Sequence, residues 1–444
     1  MVRRWIVGLG LLLALNLVAV GRWHFDDGLY ESFENHDTRT ILKRLQQPHS
    51  VWEWFVGDWV LGNGFYRPLP SVLYQLDYWL WGDHLLRWKL TNGVLAVLNA
   101  LLVVALGYVL AQRRDFALTV GLIFTLWQTG FLPPLPPWLS WVALAGGIVW
   151  GWYTGNWRRG ALVGAFALAA LVELRFIPNL ADLHQQSFAY RAVGWIPGRT
   201  ATLMTAFVLV ALIGTGLLAR TGKARWGALG LLGCIGALLS YEQAIVVPVL
   251  MALVGWVCRS GDAVSEAPGR LRLPWRALAL SGLCLLLLVP YALFYRTHIP
   301  SGTDYHQQRF KRLRTLPIAA LNWLVPPAPE VVLQIGLVRT APLTLAFPSF
   351  WAAQLAAIAY LAALREGLRR REALLGWLGS VIAYAPLMPV LPLMHYYYLP
   401  AALRALWIGI LLLCLLTPRP TQGVILVGMG DASCPKPSSL RLRN

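Results

Sequence analysis

The chain reads as an all-α polytopic membrane protein, a bundle of about 11 to 13 transmembrane helices with a large first extracytoplasmic loop. Three observations predict this. Hydrophobic residues fill 57% of the 444 positions and charged residues only 13%, too little polarity for a soluble chain of this size. Apolar stretches near the roughly 20 residues needed to cross hydrocarbon recur along the whole length. Every second connection between them carries a basic cluster, the pattern left by the positive-inside bias. Much of the formal charge of +18 sits in those clusters, so it reads as an orientation signal and nucleic acid is discounted as a partner.

Taken in order, Met1 to Gly21 has a charged start (Arg3, Arg4) and an apolar body. Ala19-Val20-Gly21 is a tolerable signal-cleavage site, but the many spans that follow favour an uncleaved first helix with a cytoplasmic N-terminus. The loop of residues 22–87 then lies on the opposite, extracytoplasmic face. Further spans are expected over Trp88 to Leu110, Phe116 to Phe131, Trp138 to Tyr153, Ala161 to Ile177, Thr200 to Leu218, Trp226 to Tyr241, Ala244 to Cys258, Ala277 to Tyr295, Leu343 to Leu364, Ala373 to Val390 and Ala401 to Leu416. The alternating basic connections are Arg113-Arg114, Arg158-Arg159, Arg220 with Lys223 and Arg225, Arg259 to Arg276, and Arg365 with Arg369 to Arg371. Leu316 to Val338 is apolar but broken by Asn322, Pro326, Pro327, Pro329 and Glu330. Counting it as a crossing would invert every later loop, so it reads as re-entrant or interfacial, with its irregular backbone buried by protein. Residues 1–417 thus form one membrane domain, and 418–444 read as a disordered cytoplasmic tail. Four of the five cysteines fall in or beside apolar runs, with no metal-ligand spacing, so they report no redox compartment.

The first loop is the most polar stretch. It opens His24-Phe25-Asp26-Asp27-Gly28, passes Glu34-Asn35-His36-Asp37, and closes on Tyr66-Arg67-Pro68-Leu69 and Trp81-Gly82-Asp83. Two adjacent carboxylates where hydrocarbon gives way to water are placed for a tuned proton affinity. Asp37 to Gln47 alternates charged and apolar residues at helical spacing, which predicts a short amphipathic helix on the membrane surface. The segment from Pro68 to Trp81 is too short and aromatic to cross comfortably. The later loops on the same face, Phe176 to Arg199, Ser240-Tyr241-Glu242, Arg296 to Arg314 and Met394-His395-Tyr396-Tyr397-Tyr398, are also rich in aromatic and isolated polar groups.

Laid out this way, the chain resembles the GT-C superfamily of membrane glycosyltransferases, and most closely the transmembrane domain of the tetratricopeptide-repeat O-mannosyltransferases and related bacterial transferases. The ordered words that carry the resemblance are Phe25-Asp26-Asp27, Glu34-Asn35 with Asp37, Tyr66-Arg67-Pro68-Leu69, Trp81-Gly82, Gly194-Trp195-Ile196-Pro197-Gly198-Arg199, Leu239-Ser240-Tyr241-Glu242-Gln243 and Tyr396-Tyr397-Tyr398-Leu399-Pro400. Tyr241 stands where the family has lysine, His395-Tyr396 stands where it has Glu-Arg, and no repeat domain follows the last span. The resemblance implies a GT-C-like bundle in a bacterial-type inner membrane. It also implies inverting transfer of a mannose-like or other hexose from a polyprenyl phosphate to a hydroxyl of a protein, glycan or lipid at the extracytoplasmic face.

Such a reaction needs a carboxylate base, cations for the departing phosphate, and aromatic walls. Asp26 matches the base and Asp27 its orienting neighbour; their plain alternative is solvating or capping a helix end. Arg67, Arg191, Arg199 and Arg296 are the candidates for donor phosphate, with interfacial snorkelling as the alternative for each. Glu242 suits a substrate hydroxyl or a cation and equally a helix N-terminus. His395 among tyrosines suits the donor phosphate or sugar, or an interfacial aromatic belt. His24, Asn35, Asp37 and Tyr66 are expected to support the loop or the acceptor. His24 with the two aspartates leaves a divalent metal open without arguing for one. Glu173, inside a span near Arg175, reads as a structural charge pair. The rival readings are a transporter or flippase of lipid-linked saccharides and a non-catalytic protein of the same fold.

Overall fold

The computed structural model describes residues 2–25, 35–132, 135–180, 187–258, 274–299, 316–335, 347, 349–390 and 393–416. Of residues 2–4, 22–25 and 35 only the backbone is described. Among the described residues the regular elements are all helical.

Helix α1 (Val2–Phe25) precedes the loop unit, which holds α2 (Asn35–Leu45), α3 (Glu53–Val56) and α4 (Pro68–Trp81). The bundle then continues with α5 (Leu85–Ala111), α6 (Arg114–Thr129), α7 (Trp138–Tyr153), α8 (Trp157–Phe176), α9 (Arg199–Thr221), α10 (Ala224–Leu238), α11 (Val247–Val257) and α12 (Trp275–His298). Two short helices, α13 (Leu316–Leu324) and α14 (Ala328–Gln334), lead to α15 (Phe350–Gly367), α16 (Arg371–Tyr384) and α17 (Tyr398–Leu416). Four helical stretches are long and apolar enough to cross a membrane: α5, residues 196–221, α12 and residues 394–416. The chain therefore carries the helices of a membrane protein. Of these four, residues 196–221 and 394–416 are 83% and 78% buried over their most apolar window and form the centre of the bundle. Helix α12 is 22% buried over the corresponding window and lies at its edge.

Helix ends carry local stop signals. Gln112 ends α5 in the left-handed region, and Gly130 and Gly222 end α6 and α9 in the same way, each donating its N–H back to a carbonyl of the last turn. Asn156 caps α8 by accepting from the Arg159 N–H at 3.1 Å. The α7–α8 hairpin closes on Gly147, Gly151, Gly160 and Gly164, which face one another across the pair so closely that a Cβ on any of them would overlap the opposite backbone. Small residues let helix backbones approach in this way, replacing a hydrophobic drive that lipid does not supply.

One buried charge in the bundle is fully paired. Glu173 on α8 receives Nε and Nη2 of Arg404 on α17, each at 2.7 Å, together with Trp407 Nε1 at 3.1 Å and the Tyr360 hydroxyl. The remaining Arg404 nitrogen donates to the Trp323 carbonyl at 2.6 Å and to Ser380 Oγ at 3.2 Å. The pair predicted at Glu173 is therefore real, but its partner lies 231 residues away and not at Arg175. Residues two apart on a helix point in different directions, so Arg175 is poorly placed to meet Glu173.

The broken segment is explained by the same bonds. Neither α13 nor α14 is long enough to cross, and Pro326 and Pro327 at their junction are buried. The carbonyls freed at the end of α13 are taken by Arg404 and by Trp377 Nε1, the latter donating to Leu324 O at 2.8 Å. Irregular backbone is tolerated at membrane depth when protein satisfies it.

The loop unit has a small core of its own, formed by Ile41, Leu45, Trp54, Trp59, Val60, Phe65, Tyr74, Trp88 and Ile196. This corrects one expectation. Helix α2 is amphipathic as predicted, but Ile41 and Leu45 on its apolar face are buried in that core, against α4 and the 196–198 turn, so that face is covered by protein and not by lipid.

Candidate functional site

Four chain segments that are remote in sequence meet around one cluster of cations and rings. They are the N-terminal end of α4, the 241–246 turn after α10, the 190–199 segment before α9, and the 394–397 turn before α17.

Arg67 is the residue before α4, where Pro68 opens the helix with an imino nitrogen that needs no partner. Its guanidinium is surrounded by the rings of Phe65, Tyr241 and Trp59 at 4.2, 4.4 and 4.5 Å. Through Nε at 3.0 and 3.1 Å and Nη2 at 2.8 Å it forms a two-pronged pair with Glu242. A planar fork held on a carboxylate and faced by rings is a geometry that lysine cannot reproduce. Two backbone ties support it. Leu69 N–H donates to Leu239 O at 3.1 Å, and the Tyr295 hydroxyl donates to Gly64 O at 2.8 Å.

Tyr66 packs against Phe294 and Tyr291 of α12 at 4.7 and 6.2 Å, and its hydroxyl donates to Phe55 O at 3.1 Å. Burial pushes that hydroxyl's pKa above the usual tyrosine value.

Arg191 lies in a single π turn, Tyr190–Gly194, closed by the Trp195 N–H donating to Tyr190 O at 2.8 Å. Such turns recur at functional sites. Its guanidinium stands 4.5 Å from the Trp195 ring, and the chain of rings continues from Trp195 to His395 at 5.1 Å, to Tyr396 at 4.3 Å, and on to Tyr241 at 6.4 Å beside Arg67. Arg191 and His395 are both buried. Three buried polar atoms around this cluster have no hydrogen-bond partner among the described residues: His395 Nδ1, Gln243 Oε1 and the Tyr291 hydroxyl oxygen. Buried polar groups are rarely left so unless a ligand or water completes them. Gln243 is itself held by its amide nitrogen, which donates to Ala383 O at 2.7 Å and Tyr396 O at 3.2 Å.

Arg199 is placed differently. It is fully buried, with Nε on Asn92 Oδ1 at 2.9 Å and Nη2 on the Trp88 carbonyl at 2.8 Å, and Tyr74 4.7 Å from its guanidinium carbon. Nη2 also approaches Asp77 Oδ2 to 2.6 Å, outside hydrogen-bond direction, so that contact is one of charge. Asp77 is fixed in turn by the Thr91 hydroxyl at 2.6 Å. In this arrangement Arg199 joins α4, α5 and α9, while its Nη1 is buried without a hydrogen-bond partner among the described residues. Arg296 stands exposed near the end of α12 while Tyr291, Phe294 and Tyr295 face the loop unit. Asp37 is half-exposed in the first turn of α2.

The structure thus brings Arg67, Tyr66, Glu242, Arg191 and His395 together, while Arg199 contacts Asn92, Trp88 and Asp77 and Arg296 is exposed. The expected base and its neighbour, Asp26 and Asp27, lie outside the described residues; His24 and Asn35 fall within helices α1 and α2, with their side chains outside the description. The helix that leads into the aspartates packs against the π turn carrying Arg191. Among the described residues no three His, Cys, Asp or Glu side chains stand together as a metal site. Sequence reasoning missed Asp77, Trp59, Phe65 and Trp195 as partners of the arginines. Only Trp195 carried a signal, as part of the Gly194 to Arg199 word.

No family model, curated protein or solved structure matches the chain.

Proposed function

We propose that the protein is a polytopic membrane glycosyltransferase with a GT-C-like bundle of about twelve spans, transferring a sugar from a polyprenyl phosphate to a hydroxyl acceptor at the extracytoplasmic face. The observation that carries this reading is the meeting of Arg67, Glu242, Arg191 and His395, from four separate segments, in one aromatic-walled cluster with unsatisfied polar atoms. In the reaction the acceptor oxygen attacks the anomeric carbon, the bond from that carbon to the phosphate oxygen breaks with inversion, and the phosphate leaves with the electron pair. Asp26 takes the acceptor's proton as the bond forms. Arg191 and the free nitrogen of His395 receive the phosphate oxygens, and the Arg67–Glu242 pair fixes the loop over them with the charge of Arg67 close by. Trp195, Tyr241 and Tyr396 offer ring faces to the sugar.

The test incubates purified chain in lipid with a panel of polyprenyl-phosphate hexoses and follows donor consumption by mass spectrometry. Consumption of one donor with release of the free polyprenyl phosphate is expected, and it should be lost in Arg191→Ala. Donors that bind but are never consumed with any hydroxyl acceptor offered would overturn the enzymatic reading, and movement of an intact donor across vesicles would replace it with a transporter.

A further inference from the structure

The loop unit presents one apolar face that its own core does not use. On α4, Tyr74 and Asp77 point inward, while Leu76, Trp79 and Leu80 are 42%, 63% and 60% exposed. Their i, i+3, i+4 spacing makes a single stripe along the helix. Helix α4 is held beside the first turns of α5 by the Thr91 hydroxyl on Asp77 Oδ1 at 2.6 Å and by Trp88 Nε1 on Gly82 O at 3.2 Å. Only residues 82–84 separate the two helices, a reach of at most about 14 Å. Helix α5 has 27 residues, so it is about 40 Å long and exceeds the roughly 30 Å of hydrocarbon by its end turns. A helix of that length that spans the bilayer brings its end turns to the headgroup layer, and α4 packs against the first turns of α5. Arg87, exposed and 5.5 Å from the Trp81 ring, adds a cation at the same level, suited to lipid phosphates.

We infer that α4, and not the amphipathic α2, is the membrane-surface helix of this loop, with the Leu76–Trp79–Leu80 stripe seated in the extracytoplasmic leaflet of the bilayer that α5 spans. The partner of this surface is phospholipid. Helix α2 has spent its apolar face on the protein core and turns Arg39, Lys43 and Arg44 to water. The inference rests on the membrane character of α5 and not on the proposed transfer reaction, so either can fail without the other. It places Arg67, at the opposite end of α4 from Trp81, on a helix that lies along the leaflet.

The full chain is reconstituted in phosphatidylcholine–phosphatidylglycerol vesicles with nitroxides at cysteines replacing Leu76, Trp79, Leu80, Lys43 or Gln47 in turn, the native cysteines being changed to alanine. Collisional relaxation by oxygen should exceed that by a polar nickel chelate at 76, 79 and 80, and the order should reverse at 43 and 47. A second measurement avoids the cysteine background by placing a benzophenone amino acid at Trp79 or Lys43 of the otherwise native chain. Illumination should give a phospholipid adduct at 79 and none at 43. Water-like accessibility of the α4 positions, protection from both reagents with a protein adduct at 79, or a lipid adduct at 43 would each overturn the assignment.

Discussion

At the scale of single residues, the decisive group is Arg67, because its charge is already compensated before any substrate arrives. Removing one partner of a buried ion pair is worse than removing both, since the survivor keeps its desolvation cost; losses of about 3 to 5 kcal/mol are usual for fully buried pairs. The Arg67 and Glu242 side chains are 8% and 19% exposed, so the loss here should be somewhat smaller. Glu242→Gln should therefore lower the thermal unfolding midpoint in detergent more than the double change Arg67→Met with Glu242→Gln. If the single variant melts with the wild type, the pair does not hold the loop. Arg67→Ala should also weaken donor use, because the loop over the donor loses its tie to Glu242, with Arg67→Lys recovering part. In the proposed reaction the second residue to test is Asp26. Asp26→Asn keeps size and most hydrogen bonds but removes proton affinity, so donor binding should persist while turnover falls by about 10² to 10⁴. Asp27→Asn should do less harm. Steady-state rates and donor binding measured on both variants decide between them, and near-normal turnover in Asp26→Asn would remove that residue from the mechanism.

At the scale of elements, the 190–199 segment shows how a π turn is held by its neighbours. A Cβ at residue 198 would overlap the Arg191 carbonyl oxygen, so glycine is what lets the chain fold back tightly over the π turn. Gly198→Ala should push that turn outward and move the Arg191 guanidinium off Trp195. The expected outcome is a raised KM for donor together with a lowered unfolding temperature, read from kinetics and calorimetry on the same preparation. Unchanged KM would mean that the position of Arg191 does not matter. In the structure the Gly194 to Arg199 word divides: Trp195 stands between Arg191 and His395, and Arg199 ties α9 to α4 and α5. Arg199 anchors because Asp77 waits for it 122 residues earlier, and nothing in local spacing announces a partner that far away. The same holds for Glu173, whose nearest arginine in sequence was the wrong one. Periodicity reports which residues share a helix face; it is silent on which helices meet.

At the scale of the whole molecule, the described residues are helical through the apolar segments that hydropathy marked, four of them long and apolar enough to cross a membrane, because apolar run length is a local property of the chain. What hydropathy does not fix is which loops share an end of the bundle, and here one ion pair decides. Arg67 from the loop after α1 touches Glu242 from the turn after α10 at 2.8 Å, so both loops lie at the same end of the molecule whatever the membrane does. The α7–α8 turn carrying Thr154, with Arg158 and Arg159 just beyond it, falls in the other set of connections, which the positive-inside bias assigns to the cytoplasm. Gln47→Cys and Thr154→Cys, both at exposed positions, should therefore answer oppositely to a membrane-impermeant maleimide. In intact cells with the cell wall removed, residue 47 should label and residue 154 should label only after the membrane is opened. Labelling of both from outside would break the alternating path between them, while labelling of 154 alone would invert the orientation and move the whole Arg67–Arg191–His395 cluster to the cytoplasmic side, where a donor displayed on the outer leaflet would not reach it.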